Sequence, residues 1–414
     1  MNKRVVITGV GLVSPVGIGV RETWDALCAG TSGVGEITRF DVSNYQTRIA
    51  AEVKDFHAED FLPQKEAKRT ERFIAYAVAA TRMAIEDSGL VIDSSNADRV
   101  GVITGCGLGG LSILEDTCLK LTSRGPKRVS PFFIPMMIGN MVPGMISIHF
   151  GAKGPNASLA TACAAGAHAI GDSCKLILNG QADAMITGGV ESVVNPTCIA
   201  GFNSMKALST RNDEPEKASR PFDRDRDGFV VGEGSGIMII EALDHALERG
   251  AKIYAELTGY GMSGDGYHMT APPPDGSGAA RCMTAALEDS GMAPDKIDYI
   301  NAHGTSTPLN DLSETRAIKL VFKEHAYNLA ISSTKSMTGH LLGGAGGIET
   351  VFTALAISDG RLPPTINHDQ PSDECDLDYV PNVMRLTQVE HAMTNSFGFG
   401  GTNASLILSR YHSA

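Results

Sequence analysis

The sequence has no excess of positive charge, no Cys-X-X-Cys pair and few cysteines for its length. Its 414 residues include 47 acidic and 35 basic side chains, which give a formal net charge of −12. This balance argues against a dedicated nucleic-acid-binding protein. The 8 cysteines are scattered and lack the close pairs of a zinc ribbon or a thioredoxin-like motif. We therefore expect a reduced, cytoplasmic protein.

A long, unbroken apolar run is also missing. The first residues, MNKRVVITGVGLVSPVG, lack the extended apolar region of a signal peptide, so none is expected there. The segment 129–152 contains no Asp, Glu, Lys or Arg, but Pro131, Pro135 and Pro143 would interrupt a membrane-spanning helix. We predict that this segment is buried or lines a pocket, and we expect no membrane contact.

Strand-like and helix-like stretches alternate along the chain, which predicts an α/β fold. Predicted strands cover residues 4–8, 100–104, 157–162, 183–187, 237–241, 297–301, 329–332 and 404–408. Predicted helices cover residues 71–87, 163–178, 278–289, 311–321 and 347–357. A weak repeat pairs DRVGVITGCG (98–107) with DKIDYINAHG (295–304), each after a helix ending in EDSG. We predict two copies of one unit, 1–250 and 251–414, with a site in the crevice between them.

Two motifs resemble ligand sites without completing them. GCGLGG at 105–110 has the spacing of a dinucleotide-binding turn, but no strand ending in an acidic residue follows at the required distance. We predict instead a tight turn or a glycine-lined pocket wall with Leu108 as its bulky side chain. DRDRDGFVVGEG at 223–234 is close to a calcium-binding loop, yet Gly234 stands where a bidentate carboxylate is required. A structural turn with Asp–Arg pairs is predicted, and no metal is expected.

Three residues suggest a catalytic site. Cys163 lies in the small-residue stretch TACAAGAHAI, at a predicted strand-to-helix turn. The positive end of the helix dipole is expected there to lower the thiol pKa, and backbone N–H groups can hold an oxyanion. His303 in NAHGTSTPLND and His340 in KSMTGHLLGGAGG lie in glycine-rich loops of the other half. A lone cysteine or histidine is usually structural, but these three together suggest convergence on one site.

These segments, together with NSFGFGGTNASL near the end, resemble the β-ketoacyl-acyl-carrier-protein synthases of the thiolase-like superfamily, and among them the type II elongating enzymes. The resemblance covers essentially the whole chain. It implies a five-layered α-β-α-β-α sandwich made of two pseudo-symmetric halves. It also implies a homodimer that works with acyl carrier protein and has no cofactor of its own.

The resemblance assigns roles to individual residues. Cys163 would be the acyl-accepting nucleophile, with His303 and His340 as the catalytic pair and Lys335 setting the electrostatics. Phe399 would be a gate, and its N–H and that of Cys163 would form the oxyanion hole. Substrate-binding positions would be Thr270, Thr305, Thr307, Leu108, Phe202 and Ile134. A basic patch for the acidic carrier protein would comprise Lys65, Lys68, Arg69, Lys127, Arg128 and Lys206.

Related activities differ in their residue sets. Thiolases use a second cysteine, which NSFGFGGTN lacks, and the priming synthase has asparagine where this sequence has His340. A type I elongating synthase or a polyketide-type ketosynthase would have the same cysteine and two histidines. A scaffold protein that uses the fold without chemistry is the alternative of a different class. The expected reaction is decarboxylative condensation of malonyl-acyl carrier protein with a cysteine-bound fatty acyl chain.

Overall fold

The computed structural model describes residues 3–413, which form fifteen strands and thirteen α-helices. The strands are β1 Val5–Ser14, β2 Gly17–Ile18, β3 Gly35–Glu36, β4 Ile49–Ala50, β5 Val100–Gly105, β6 Asn156–Leu159, β7 Ala184–Glu191, β8 Gly234–Ala242, β9 Ala255–Gly264, β10 Tyr299–Asn301, β11 Ala330–Ser332, β12 Arg361–Leu362, β13 Arg385–Leu386, β14 His391–Gly398 and β15 Thr402–Ser409. The helices are α1 Val20–Cys28, α2 Gln64–Ala67, α3 Arg72–Ser88, α4 Leu111–Arg124, α5 Phe133–Met137, α6 Met141–Phe150, α7 Ala165–Leu178, α8 Pro196–Ser204, α9 Leu243–Glu248, α10 Ser277–Ser290, α11 Pro308–Phe322, α12 Lys335–Thr338 and α13 Ala345–Asp359.

The main sheet has the order β11-β10-β14-β15-β9-β1-β8-β7-β5-β6, with β2 attached to β1. Outwards from the central pair, the first half has the order β1-β8-β7-β5-β6 and the second half has the order β9-β15-β14-β10-β11. When the five main-sheet strands of each half are numbered along the chain, both orders read first, fifth, fourth, second, third. The two halves also agree in direction, since β5 runs parallel to β6 and β7 while β10 runs parallel to β11 and β14. A short antiparallel pairing of residues 5–7 with residues 255–257 joins the halves. The division at about residue 250 stays a prediction.

Helices cover both faces of each half. Helices α7 and α13 lie in the middle, because each contacts strands of both halves, β7 and β15 among them. On the outside, α3 packs on β1 and β8 while α10 packs on β9 and β15. Nearly every residue of α13 is buried, as expected for a helix between two sheets. These layers agree with the predicted thiolase-like α-β-α-β-α arrangement.

Small residues allow the two central helices to approach closely. A Cβ added at Gly166 would lie 2.6 Å from the backbone nitrogen of Gly347, and one added at Gly346 would lie 2.3 Å from that of Ala167. The alanines and glycines that follow Cys163 therefore serve helix packing. Each helix is preceded by a one-turn 3₁₀ helix, Ala162–Ala164 and Leu342–Gly344. Each turn begins with a residue in the left-handed region, Ala162 and Leu342, both at φ 49°.

The predicted elements are present, and their bounds differ for identifiable reasons. Strand β1, predicted over 4–8, continues to Ser14, and Gly9 and Gly11 within it lie against the backbone of α3. The strand predicted at 157–162 ends at Leu159, and the helix predicted from 163 begins at Ala165. Both differences arise because the chain changes direction at Ala162.

The two ambiguous segments have clear structures. Residues 129–152 form α5 and α6, and no helix within residues 3–413 is long and apolar enough to cross a membrane. Within this chain the segment is mostly half-buried rather than buried, and Ile148 is 72% exposed. The 223–234 stretch begins with a turn that has an Asp–Arg pair, Arg224 Nε to Asp225 Oδ1 at 3.3 Å, and Asp223 also accepts from Arg220 Nε, just before the stretch, at 3.0 Å.

Candidate active site

The thiol of Cys163 lies in the left-handed turn before α7. The residue is buried, with 7% of its surface exposed, and it lines a cavity of about 550 Å³. The backbone N–H groups of Phe399 and Cys163 both hydrogen-bond towards the sulfur and lower its pKa. A carbonyl oxygen of an acyl group on Cys163 would meet the same two donors, as an oxyanion hole requires.

Burial nevertheless raises the pKa of the Cys163 thiol to about 11. The Lys335 ammonium lowers this pKa, whereas the Glu191 carboxylate raises it further. The expectation of a lowered thiol pKa is therefore wrong for the free protein, because desolvation outweighs the N–H groups. At neutral pH the thiol is protonated and must lose its proton when it attacks.

His303 follows β10, His340 follows α12, and both line the same cavity as Cys163. Their ring centroids are 5.3 Å apart and their planes are nearly perpendicular, at 84°. Burial and the nearby Lys335 charge hold both pKa values well below the ordinary 6.5. Both imidazoles are therefore neutral at pH 7, and each has one N–H to donate.

The proton position on His340 follows from its neighbour. The backbone N–H of Leu342 donates to His340 Nδ1 at 3.3 Å, so the neutral ring carries its proton on Nε2. His303 Nδ1 is buried and has no hydrogen-bond partner among residues 3–413. The His303 ring instead packs edge-on against Phe397, with centroids 5.7 Å apart.

Lys335 is buried and is not part of the cavity wall. Its Nζ lies 2.5 Å from Glu349 Oε1, and both side chains are at most 2% exposed. Burial raises the pKa of Glu349 to about 7, although the lysine lowers it. Lys335 does not line the cavity, but its charge lowers the pKa of Cys163, His303 and His340.

Sequence reasoning missed Glu314, which fixes the loop after β10. Its carboxylate accepts the backbone N–H groups of His303 at 2.9 Å and Gly304 at 2.7 Å. Asn395 Nδ2 donates to the same carboxylate at 3.3 Å. Burial raises the pKa of Glu314 to about 7. A signal was available in the sequence: Glu314 and Asp311 are three residues apart, which places both carboxylates on one face of α11, and that face is buried.

The glycine loop GCGLGG encloses a protein carboxylate instead of a phosphate. Glu191, at the end of β7, accepts the N–H groups of Gly107, Leu108 and Gly109. The loop also forms part of the cavity wall through Gly107 and Leu108, as the second interpretation of this motif predicted. Glu191 was not identified from the sequence, because no local pattern marks a carboxylate 82 residues from the amide of Gly109.

The cavity brings together most of the predicted substrate-binding residues. Its lining includes Leu108, Phe202, Thr270, Thr305, Thr307 and the predicted gate Phe399. The Thr305 and Thr307 hydroxyls are 2.9 Å apart. Ile134 does not line the cavity of this chain; it lies on α5 and is 53% exposed.

The predicted docking residues are all exposed, but they lie on separate elements. Lys65, Lys68 and Arg69 lie on or just after α2, and Lys127 and Arg128 lie in the 3₁₀ turn 126–128. Lys206 lies at the rim of the cavity. The Arg69 guanidinium stacks on Phe132, 5.0 Å from the ring centroid. Only Lys206 is close enough to the cavity to line it.

Comparison with known proteins finds relatives along the full length. Residues 2–246 match the profile of the β-ketoacyl synthase N-terminal domain, and residues 254–369 match that of the β-ketoacyl synthase C-terminal domain. A 3-oxoacyl-[acyl-carrier-protein] synthase 2 of Synechocystis sp. is 57% identical over 410 residues, 99% of each chain. A protein of the same name from Coxiella burnetii is 55% identical over 409 residues, again 99% of each chain.

A solved structure shows the same fold throughout. It is a type II polyketide synthase acyl-carrier protein in complex with its ketosynthase bound to the hexaketide. The likeness has a TM-score of 0.92 and 34% sequence identity, and it covers 100% of both chains.

Proposed function

The chain belongs to the β-ketoacyl synthase family, and from that premise we propose that the Cys163 cavity condenses malonyl-acyl carrier protein with a Cys163-bound fatty acyl chain. The products are 3-oxoacyl-acyl carrier protein and carbon dioxide, and the reaction elongates a fatty acid. The observation that carries this proposal is the convergence of one thiol and two neutral imidazoles on a single cavity.

In the first half-reaction, Cys163 Sγ attacks the thioester carbonyl of an acyl-carrier protein. The sulfur–carbon bond to the carrier breaks, the carrier thiol takes the proton that Cys163 gives up, and an acyl-Cys163 thioester remains. The N–H groups of Cys163 and Phe399 stabilise the oxyanion of the intermediate. The Lys335 charge assists, because it favours the thiolate.

In the second half-reaction, malonyl-carrier protein loses carbon dioxide and becomes an enolate. The negative charge develops on its thioester oxygen, where His303 and His340 each offer one N–H. Removal of one such donor typically costs about 3–4 kcal/mol of barrier. The enolate carbon then attacks the acyl-Cys163 carbonyl, forms the carbon–carbon bond and releases the Cys163 thiolate.

We propose that no metal or organic cofactor takes part in this reaction. Two imidazole donors and two backbone N–H groups suffice for the two charges that develop. Dialysis against a chelator should leave the condensation rate unchanged, and a rate restored only by added metal would contradict this.

The direct test is an assay of purified protein with malonyl-carrier protein and acyl-carrier proteins of graded chain length. Mass spectrometry should detect a product longer by two carbons with a 3-oxo group. Cys163→Ala should give no such product, and absence of product from the wild-type protein at every chain length would refute the proposal. Repeated extension of the unreduced product would instead indicate polyketide chemistry. The higher identity of the fatty-acid relatives, 57% against 34% for the polyketide ketosynthase, favours a single extension.

The partner that delivers both substrates is acyl carrier protein, and its docking is proposed for the six exposed basic residues, of which Lys206 lies at the cavity. Lys65 and Lys68 are exposed on and just after α2, where an acidic carrier can be steered. Lys65→Glu with Lys68→Glu should raise the KM for the carrier substrate at low salt and leave kcat nearly unchanged. An unchanged KM would remove these residues from the docking surface.

A homodimer is proposed through the edge strand β6. Asn156 and Ala157 on β6 are exposed, and within residues 3–413 the strand pairs only with β5. The opposite edge, β11, is covered because the Ile331 N–H donates to the Asp378 carbonyl at 2.9 Å. An open sheet edge invites pairing with a second copy across a twofold axis.

The neighbouring surface supports the same interface. Helix α6 contacts β6 and exposes Ile148, which is 72% accessible; Ile134 on α5 would then reach the partner's side of the pocket. Ile148→Glu should convert the protein to a monomer in light-scattering measurements. The control Leu247→Glu, at a residue that is 51% exposed on α9, should stay dimeric. A dimer that survives Ile148→Glu, or a monomeric wild-type protein, would contradict the proposal.

A cytoplasmic location is proposed as well. All eight cysteines are free thiols, and seven of them are buried, which fits a reducing compartment. Fractionation of cells that produce the protein should place it with cytoplasmic markers. Recovery with the membrane fraction would contradict this.

A further inference from the structure

Glu191 is a fully buried carboxylate that the reaction described above does not use. It is 0% exposed, and it forms no ion pair with Lys, Arg or His in the described part of the chain. Its partners are backbone amides and the Cys106 thiol, which donates to Oε1 at 3.4 Å. Oε2 accepts from Gly107 at 2.8 Å and from Gly343 at 3.1 Å, and Oε1 accepts from Gly109 at 3.0 Å and from Leu108 at 3.1 Å.

These amides belong to loops of opposite halves that both line the site. The Gly107–Gly109 loop presents Leu108 to the cavity. The loop with Gly343 begins at His340, whose Nδ1 accepts the Leu342 N–H at 3.3 Å. Glu191 is therefore the common acceptor for a loop of the acyl-chain wall and for the turn that fixes the proton on His340 Nε2.

The fit around the carboxylate leaves no room for adjustment. A Cβ added at Gly343 would lie 2.1 Å from the Gly107 nitrogen and 2.8 Å from Glu191 Oε2. A Cβ added at Gly107 would lie 2.7 Å from the same oxygen. The two loops touch one another and the carboxylate at once, so movement of one loop changes the hydrogen bonds available to the other.

We propose that Glu191 is a positioning residue that couples the Leu108 wall of the acyl pocket to the orientation of His340. It touches neither substrate nor reacting atoms; it acts through Leu108 and through the Leu342–Gly343 turn. The inference rests on the proposed condensing function, and it adds that chain-length preference and catalytic rate depend on one shared carboxylate.

Glu191→Gln tests this with little change in shape. If the NH₂ takes the place of Oε2, it faces the Gly107 and Gly343 N–H groups, and the Leu342–Gly343 turn loses its acceptor. If it takes the place of Oε1, it faces the Gly109 N–H, and the Gly107–Gly109 loop keeps only the bonds of Gly107 and Leu108 to the other oxygen. We expect kcat for condensation to fall about tenfold or more, with the KM for malonyl-carrier protein nearly unchanged. The ratio of kcat/KM for long against short acyl chains should also change. Glu191→Asp, which keeps the charge on a shorter side chain, should recover part of the rate.

A second measurement separates positioning from loss of structure. The Glu191 charge disfavours the Cys163 thiolate, so Glu191→Gln should speed alkylation of Cys163 while it slows condensation. The matched control is Glu241→Gln, which removes an equally buried carboxylate bonded to His245 and Arg249 away from the cavity. That control should lower stability and leave both the chain-length ratio and the alkylation rate unchanged.

Two results would overturn the inference. One is a Glu191→Gln protein whose chain-length ratio and alkylation rate match wild type, with activity reduced only by its unfolded fraction. The other comes from wild-type protein, so it applies even if the variants do not fold. Acylation of Cys163 with a long chain should change amide hydrogen exchange at Gly343 as well as at Leu108, because both share one acceptor. A change confined to Leu108 would refute the coupling, whereas a wild-type protein that forms no condensation product would refute the proposed function instead.

Discussion

Replacement of Lys335 by methionine should weaken the fold and slow the chemistry of Cys163 for two separable reasons. The first is the ion pair with Glu349, whose charged atoms lie 2.5 Å apart with both side chains at most 2% exposed. Removal of one partner from a buried pair typically costs about 3–5 kcal/mol, because the remaining charge stays buried and unpaired.

The loss of stability should depend on pH in a defined direction. The pKa of Glu349 is already raised to about 7 from an ordinary value of 4.5, and loss of Lys335 raises it further. A raised folded-state pKa contributes stability that is fully present below the ordinary value and is lost as pH rises through the folded value. The Lys335→Met protein should therefore be least destabilised in acid and most destabilised at alkaline pH, as measured by urea unfolding.

The second reason concerns the thiol. The Lys335 ammonium lowers the pKa of Cys163, so its removal should raise that pKa. At a fixed pH well below the pKa, each unit of increase lowers the thiolate fraction tenfold. Alkylation of the Cys163 peptide, followed by mass spectrometry in a Cys118→Ser background, measures this directly. The background is needed because Cys118 is exposed.

The double variant Lys335→Met with Glu349→Gln separates the two effects. It removes both charges, so most of the stability should return, while the alkylation rate should stay as low as in Lys335→Met. If the alkylation rate recovers with stability, the role of Lys335 is only structural and the electrostatic reasoning is refuted. If Lys335→Met alone unfolds like wild type across the pH range, the ion pair does not stabilise the fold.

Three further outcomes follow from the site. Leu108→Trp should shorten the acyl chains accepted in the elongation assay, because Leu108 lines the cavity; unchanged long-chain activity would show that the pocket lies elsewhere. Burial raises the pKa of Glu314 from 4.5 to about 7, so in wild type this carboxyl should lower the free energy of unfolding by about 3 kcal/mol as pH rises from 4.5 to 7. Glu314→Gln should lack this contribution; an equal dependence of the urea-unfolding free energy on pH in the two proteins would contradict this. Thr307→Val should lower the free energy of unfolding by about 1 kcal/mol, because the Thr307 hydroxyl caps α11 by accepting the Asn310 N–H at 3.3 Å, and it should raise the KM for carrier substrates; normal stability and KM would refute both roles.

The parts of the site that the sequence predicts are those marked by local patterns. Cys163 lies in a small-residue turn before a helix, His303 and His340 lie in glycine-containing loops, and the structure places all three on one cavity. Alternating elements predict the α/β class and the repeat predicts two similar units, whereas the five layers are implied by the family resemblance. Glu314 and Glu191 escape this reasoning because they act through backbone amides brought near only by folding.

Burial explains the remaining differences. The position of Cys163 before a helix suggests a lowered pKa, but the degree of desolvation that raises it to about 11 depends on packing from both halves. Ile134 was placed in the pocket because its segment is uncharged. Its 53% exposure shows that the single chain does not enclose it, and an uncharged segment on a surface has the same composition as one in a pocket.

The two halves use one backbone plan and differ in the side chains that complete it. The turn before α7 carries Cys163, and the turn before α13 carries Gly343 at the equivalent place, each after a residue at φ 49°. In the aligned strand ends GCG and AHG, Cys106 stands where the second half has His303. Each loop binds a buried carboxylate, but Glu191 comes from a strand and Glu314 from a helix. A cysteine at position 303, as at Cys106, would remove one of the two imidazole donors, and a glycine at position 163, as at Gly343, would leave no nucleophile. The chemistry therefore requires that the repeats diverge at these few side chains while the backbone that positions them stays alike.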